Sequence, residues 1–412
     1  MNIYFIIIIG IILFEYILSC IVKYLNIVAL DPQLPSEFSD TFDEEKYKKS
    51  QEYTKTNTKF SLITNTFTLV ISLWFILSGF YNTIDIYSRN MGYGDIITGI
   101  IFFGILTIIT DILNLPFSIY STFVIEENYG FNKTTPKIFI VDKLKQYFLL
   151  VIIGIPIISM ILYFFGSLGE YAWIYVWIFL VSFSIIMQPI FNNFIAPLFN
   201  KFTPIEEGPL LDKIKAYLSK VDFPVKKLEI MDGSKRSSHS NAYFSGIGKN
   251  KRIALFDTLI EQMNDDEIVS VIAHEVGHYK LKHIYSGIVL SALQSGIMLF
   301  ILSLFLLNED LFNVFKMENL SIYASLLFFT MLYAPISMVT GIMFSIISRK
   351  NEFSADEYSA QTFKMPLALI SSLKKMSKEN LSNLTPHWLN VFLNYSHPPV
   401  LQRIKALKEH IN

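Results

Sequence analysis

Apolar residues gather in seven blocks, at about 3–22, 60–82, 97–119, 147–167, 172–192, 284–307 and 320–347. A helix rises about 1.5 Å per residue, so roughly 20 apolar residues cross the ~30 Å hydrocarbon core of a bilayer. The pattern therefore predicts seven transmembrane helices. The third block is interrupted by Asp111 and Pro116, which leaves its end open, and the fifth is compatible with a shorter span. The first block lacks a positively charged start and a small-x-small cleavage site, and Lys23 stops it. It reads as a retained span rather than a signal peptide.

Charge alternates between the connections. Residues 23–59 carry Lys23, Lys46, Lys48, Lys49, Lys55 and Lys59, and residues 120–146 carry Lys133, Lys137, Lys143 and Lys145. Residues 193–283 and 348–412 are also rich in Lys and Arg, whereas the other three connections carry Arg89, no cation, and Lys316. The positive-inside rule puts the N-terminus on the lumenal side and both large polar regions and the C-terminus in the cytosol. The sequon at Asn319 falls on the lumenal side, so close to a span that it is expected to go unused. Four parts follow: residues 1–192 with spans one to five, a cytosolic unit at 193–283, spans six and seven at 284–347, and a cytosolic tail at 348–412.

The cytosolic unit changes period. Residues 209–221 read as an amphipathic helix, and Leu228–Met231, Asn241–Phe244 and Arg252–Phe256 as short strands joined by glycine-containing turns. A helix then opens at Asn264, where Glu267 three residues on completes a capping box and Asp265 and Asp266 suit the positive end of the dipole. It runs through Ile268, Val269, Ile272 and Val276 towards His283.

That helix carries His274-Glu-Val-Gly-His278. Histidines four apart share a helix face and can reach one zinc ion, and Glu275 between them can take a proton from the attacking water. His283, five residues after His278, falls about 140° further round a continuous helix, so it is expected not to share the zinc and to play a structural or rim role. Leu281 and Ile284 stand where the extended metzincin motif needs Gly and His, which excludes that class. After the seventh block, Glu352 and Asp356 share a face. Glu352 suits a third ligand, and Asp356 can accept the other N–H of a ligating imidazole. Arg403 could bind a substrate carboxylate bidentately. Asn241 opens a strand that an extended substrate could join at the sheet edge. His239, His387 and His410 read as loop or surface residues.

Composition narrows the class. Hydrophobic residues make up 52% of the 412, above the roughly 45–50% of soluble domains, as membrane spans require. A net charge of −1 gives no reason to expect nucleic acid, and the single Cys20 excludes a disulfide framework or thiolate metal site.

At these motifs the chain resembles the integral-membrane CAAX prenyl proteases, zinc metalloproteases that act on isoprenylated proteins. The likeness extends beyond the histidine motif. It includes Pro116-Phe-Ser-Ile-Tyr-Ser-Thr-Phe-Val-Ile-Glu-Glu, Tyr129-Gly-Phe-Asn-Lys, Phe194-Ile-Ala-Pro-Leu-Phe-Asn-Lys-Phe-Thr-Pro, Gly233-Ser-Lys-Arg-Ser-Ser-His-Ser-Asn-Ala-Tyr-Phe, Glu352-Phe-Ser-Ala-Asp and Tyr395-Ser-His-Pro-Pro, in order over nearly the whole chain. The stretch from Ile260 to Asn264 is short where some animal members carry a charged insertion. The resemblance implies a barrel of seven helices around a water-filled chamber, with an α+β zincin-like domain closing its cytosolic side. It also implies one zinc ion per chain held by His274, His278 and Glu352, His397 as a donor to the developing oxyanion, and removal of the last three residues of a prenylated CAAX protein. Some members cut a second, upstream bond. The compartment, endoplasmic reticulum or inner nuclear membrane, rests on the resemblance alone. Aromatic-rich spans could shelter the lipid, though aromatics are equally ordinary in interfacial belts.

Two other readings stay open on the residues alone. The same site would serve a membrane quality-control protease without a prenyl requirement. A non-catalytic transporter or channel would need polar residues within the spans, for which Glu15 and Asp111 are the candidates. An intramembrane site-2-type protease is disfavoured, because the charged, capped start of the metal helix lies outside the lipid.

Overall fold

The computed structural model describes residues 2–245 and 251–411. Among the described residues, seven helices are long and apolar enough to cross a membrane: Ile3–Val28, Glu44–Ser78, Asp95–Tyr129, Pro136–Ser167, Gly169–Phe199, His283–Phe305 and Ile322–Phe363. Little of their surface is buried within the protein, from 6% of the most apolar window in the fifth to 22% in the third. Their remaining apolar surface suits lipid rather than water.

The third span does not stop at Pro116. It continues as helix to Tyr120, and one π-helical turn at Ser121–Glu126 follows the proline. A proline inside a helix loses a hydrogen bond and crowds the preceding turn, and a wider turn nearby absorbs that misfit. Asp111, on the same span, is paired with Lys143 and Tyr147 of the fourth span. Its charge serves helix packing here.

The seventh span is a single helix of 42 residues, about 63 Å long. It far outruns a bilayer, so it carries residues 348–363 beyond the apolar block as rigid helix. The break after the histidine motif is just as consequential. The motif helix ends at Lys280, Lys282 takes a left-handed φ of 61°, and the sixth span starts at His283. The expected run of one helix to His283 is therefore corrected to two helices meeting at a corner.

The polar unit holds a four-stranded sheet, ordered β1 (Phe202–Pro204), β2 (Lys227–Met231), β4 (Arg252–Phe256), β3 (Ala242–Ser245). β2 and β4 are parallel, and the other two pairings are antiparallel. β1 is only three residues long and has no alternating pattern by which the sequence could show it. The glycine-containing turn expected after β3 lies at 246–250, outside the described residues. The amphipathic helix Pro209–Lys220 buries Leu211, Ile214, Tyr217 and Leu218 against β4 and the motif helix. Ile253, Leu255, Ile268, Val269 and Ile272 form the centre of that core. β3 stands at one edge of the sheet, packed on the motif helix.

Candidate metal centre

The motif helix Asp265–Lys280 starts on its capping box. Asn264 Oδ1 accepts from Glu267 N at 3.0 Å, and Glu267 Oε2 accepts from Asn264 N at 2.9 Å. Burial works against the Glu267 charge. Lys375, Ser371 and the Asn264 N–H outweigh it, and the carboxyl lies below its ordinary range.

Gly277 sets how closely this helix crosses the long seventh helix. A Cβ there would meet Ala355 Cα, Ala355 O and Tyr358 Cβ, each at 3.2 Å. Without one, the two helices press together, and Ser359 Oγ donates to Ser270 O at 3.0 Å. This contact brings a face of the motif helix onto residues 352–356.

His274, His278 and Glu352 thereby offer ligand atoms within 4.8 Å of one another. The two Nε2 atoms are 3.1 Å apart. His278 Nε2 lies 3.3 Å from Glu352 Oε1, and His274 Nε2 lies 3.5 Å from Glu352 Oε2. Among the described residues, Glu352 Oε2 is buried without a hydrogen bond and has charge contacts of 3.3 Å to Arg403 Nη1 and 3.5 Å to His274. Two imidazole nitrogens facing each other and a carboxylate oxygen left over fit a small divalent cation. Donors about 2.0–2.2 Å from a tetrahedral ion stand roughly 3.3–3.5 Å apart. The site already favours positive charge. Burial opposes protonation of His274, but hydrogen bonds to Asp356 and Glu352 outweigh it and push the imidazole up to about 9. A cation there replaces that proton.

Around the donors, Asp356 Oδ1 lies 2.9 Å from His274 Nδ1, which orients the ring through its far nitrogen. Arg403, buried on the helix Val400–Lys408, binds Asp356 through Nε at 2.8 Å and Nη2 at 2.6 Å. The Nε–Nη2 edge of Arg403, expected on a substrate carboxylate, faces Asp356 in this structure. Nothing in the spacing of Arg403 signals this, because the partner comes from a helix 47 residues earlier.

His283 lies beside His278 and outside the donor group. The corner at Lys282 removes the angular offset of a continuous helix, and His283 Nδ1 comes to 3.1 Å from His278 Nδ1. His283 thus stands behind His278 much as Asp356 stands behind His274. His397 reaches the open side, 64% exposed, with Nε2 3.3 Å from Glu352 Oε1 and Nδ1 3.0 Å from Ser396 Oγ. Arg349 of the long helix holds Tyr395 O at 2.6 Å and Val391 O at 3.1 Å, fixing the segment that presents His397. Glu275 is half-buried and lines a cavity that also touches His278.

Asn241 is exposed at the start of β3, with its Oδ1 accepting from Ala242 N at 2.8 Å. His239 sits in a loop but is held there, stacked 3.9 Å from the Phe131 ring, with Nδ1 3.2 Å from Asn380 Oδ1. His387 caps the helix Trp388–Asn394, accepting from Leu389 N. His410 is exposed.

The architecture and both halves of the sequence have counterparts among known proteins. Residues 23–201 match the family described as CAAX prenyl protease N-terminal, five membrane helices, and residues 204–411 match peptidase family M48. The chain is 38% identical to CAAX prenyl protease 1 homolog of Arabidopsis thaliana over 97% of this chain and 96% of that protein. It is 32% identical to the Homo sapiens protein of the same name, over 91% and 88% of the two chains. A crystal structure of S. mikatae Ste24p superposes with a TM-score of 0.93 at 31% identity, covering 98% of this chain and 99% of that one. With its spans, its histidine motif and its long helix all inside these matches, the chain belongs to the CAAX prenyl protease 1 family of M48 metalloproteases.

Proposed function

We propose that this protein is a zinc endopeptidase of the endoplasmic reticulum membrane that removes the C-terminal tripeptide of prenylated CAAX proteins. His274, His278 and Glu352 hold the zinc. The observation that carries the reading is the donor cluster itself, with an orphaned carboxylate oxygen on Glu352 and with Glu275 lining one cavity together with His278. Residues 193–283 and 348–412 act as one cytosolic protease unit, because the motif helix from the first is clasped by Glu352, Asp356 and Arg403 from the second. The N-terminus is lumenal, supported by the lysine-rich connections on the other side.

Zinc, when bound, supplies a Lewis acid that makes water nucleophilic near neutral pH. Glu275 takes the proton of the attacking water and returns it to the departing amine. His397, on the open side of Glu352, donates to the oxygen that gains charge as the carbonyl is attacked. Asp356 fixes the His274 tautomer, Arg403 holds Asp356, and His283 orients His278. An extended substrate adds to β3 at the free sheet edge, with Asn241 at its end.

The test is mass spectrometry of a farnesylated CAAX peptide incubated with detergent-purified protein, alongside the lipid-free peptide, a chelator and Glu275→Gln. Loss of three residues only with lipid, metal and Glu275 present is expected. Equal cutting of the lipid-free peptide would replace this reading with a general membrane protease.

A further inference from the structure

The sixth and seventh spans are two-faced in a way that lipid does not require. On the sixth, Val289, Leu293, Ile297 and Leu304 are exposed large apolar side chains, a stripe suited to the bilayer. Its other face carries Gly287, Ser291, Gln294 and Ser295. Small and polar residues turned from lipid either pack tightly against a helix or line a cavity. Here they line cavities. The first, of ≈ 440 Å³, touches Glu275 and His278 at one end and is walled by Ile284, Leu290, Phe344 and Ile347. A second, of ≈ 650 Å³, shares Ser291 with the first and continues to Gln294, Met298, Tyr333, Ser337 and Glu15. From His283 to Met298 this track follows about 22 Å of helix.

The chemistry of the proposed reaction says what must occupy the near end. The lipidated cysteine supplies the carbonyl of the bond that is cut. Its sulfur is therefore on the residue attacked beside Glu275, and its lipid must leave the centre directly past Glu275 and His278. The apolar wall of the first cavity begins there. We propose that this cavity is the isoprenyl subsite and that Gly287 sets the depth available to the chain. The inference rests on the prenyl-protease reading. A Cβ at Gly287 would meet nothing within 4 Å, so a larger side chain there enters open space. The deeper cavity is lined by neither Glu275 nor His278, so a chain leaving the centre reaches it only after the first.

The experiment compares kcat/KM on one CAAX peptide carrying either S-farnesyl or a five-carbon S-isoprenyl group, for the full-length protein in detergent. Gly287→Leu is expected to lower the farnesyl-to-isoprenyl ratio at least about tenfold, a reasonable size for overlap in an apolar pocket. Val289→Leu, on the lipid-facing stripe, is expected to leave the ratio unchanged. Phe344→Ala, which enlarges the same pocket, is expected to shift the ratio the other way. Equal loss of both peptides in Gly287→Leu, or the same ratio change in Val289→Leu, overturns the subsite while leaving the protease reading intact. If the unaltered protein cuts the lipid-free peptide as well as the farnesylated one, the prenyl-specific reading falls first, and the subsite falls with it.

Discussion

One helix carries a buried carboxylate cluster near each end, and the two clusters differ in whether they are complete. At its first turn, Tyr323 donates to Asp85, whose other oxygen takes Arg89 Nε at 2.8 Å. Asp85 is fully buried, both its oxygens are satisfied, and Arg89 also reaches Leu320 O. Around it Phe102, Phe312, Phe315 and Phe328 close an apolar core. Near the other end, Asp356 is likewise satisfied by Arg403 and His274, but Glu352 keeps a buried oxygen without a hydrogen bond. A buried charge with every partner in place holds structure together. One with a vacant lone pair among two imidazoles has somewhere to put a cation.

The sharpest way to test that contrast is to remove the incomplete group. Glu352→Gln keeps the shape and removes the anionic donor. Metal content by mass spectrometry is expected to drop below stoichiometric, and peptidase activity to fall by at least about a thousandfold, as loss of an essential metal does. Glu275→Gln, by contrast, is expected to keep the metal and still lose roughly 10²–10⁴-fold in kcat, the size of a lost general base. Retained activity in Glu275→Gln would remove Glu275 from the proton transfer.

Breaking a complete pair tests the other side of the comparison. Asp356→Ala strands the buried Arg403 guanidinium and frees His274 Nδ1, so both stability and metal affinity are expected to suffer. The stability loss should be of order 3–5 kcal/mol by thermal unfolding in detergent, and metal affinity should fall about 10–100-fold. Asp85→Asn at the far end is expected to lose stability of order 1–3 kcal/mol, with kcat/KM of the molecules still folded unchanged. A selective effect of Asp85→Asn on kcat/KM would show that the far cluster is coupled to catalysis.

Much of this was legible in the chain. Seven apolar blocks, the capping box at Asn264 and Glu267, and the pairing of His274 and His278 each depend on residues within one element. What was not legible depends on geometry between elements. The sequence shows Gly277 inside the motif, but not that Ala355 lies 3.2 Å from where its Cβ would be. Arg403 carries a fork that fits any carboxylate, and only the crossing of the last helix over the seventh span selects Asp356. The contact of His283 with His278 was not legible because a left-handed Lys282 leaves no mark in composition, and the angular rule for one helix does not hold across the break. β1 has three residues, too few to show a period of two.

The smallest effect expected here lies at the start of the motif helix, and it separates fold from chemistry. Asn264 does nothing to the donors directly. Its side chain satisfies the Glu267 N–H, while the buried Glu267 is held by Lys375 and Ser371 from the helix Pro366–Glu379. Asn264→Ala removes one arm of the capping box, and the loss should be about 1 kcal/mol. Because the His274 and His278 positions are fixed downstream by the Gly277 crossing, metal stoichiometry and kcat/KM of the folded protein are expected to stay within about twofold of the unaltered chain. A larger fall in metal content at unchanged stability would mean that the cap, and not the crossing, sets the register of the histidines.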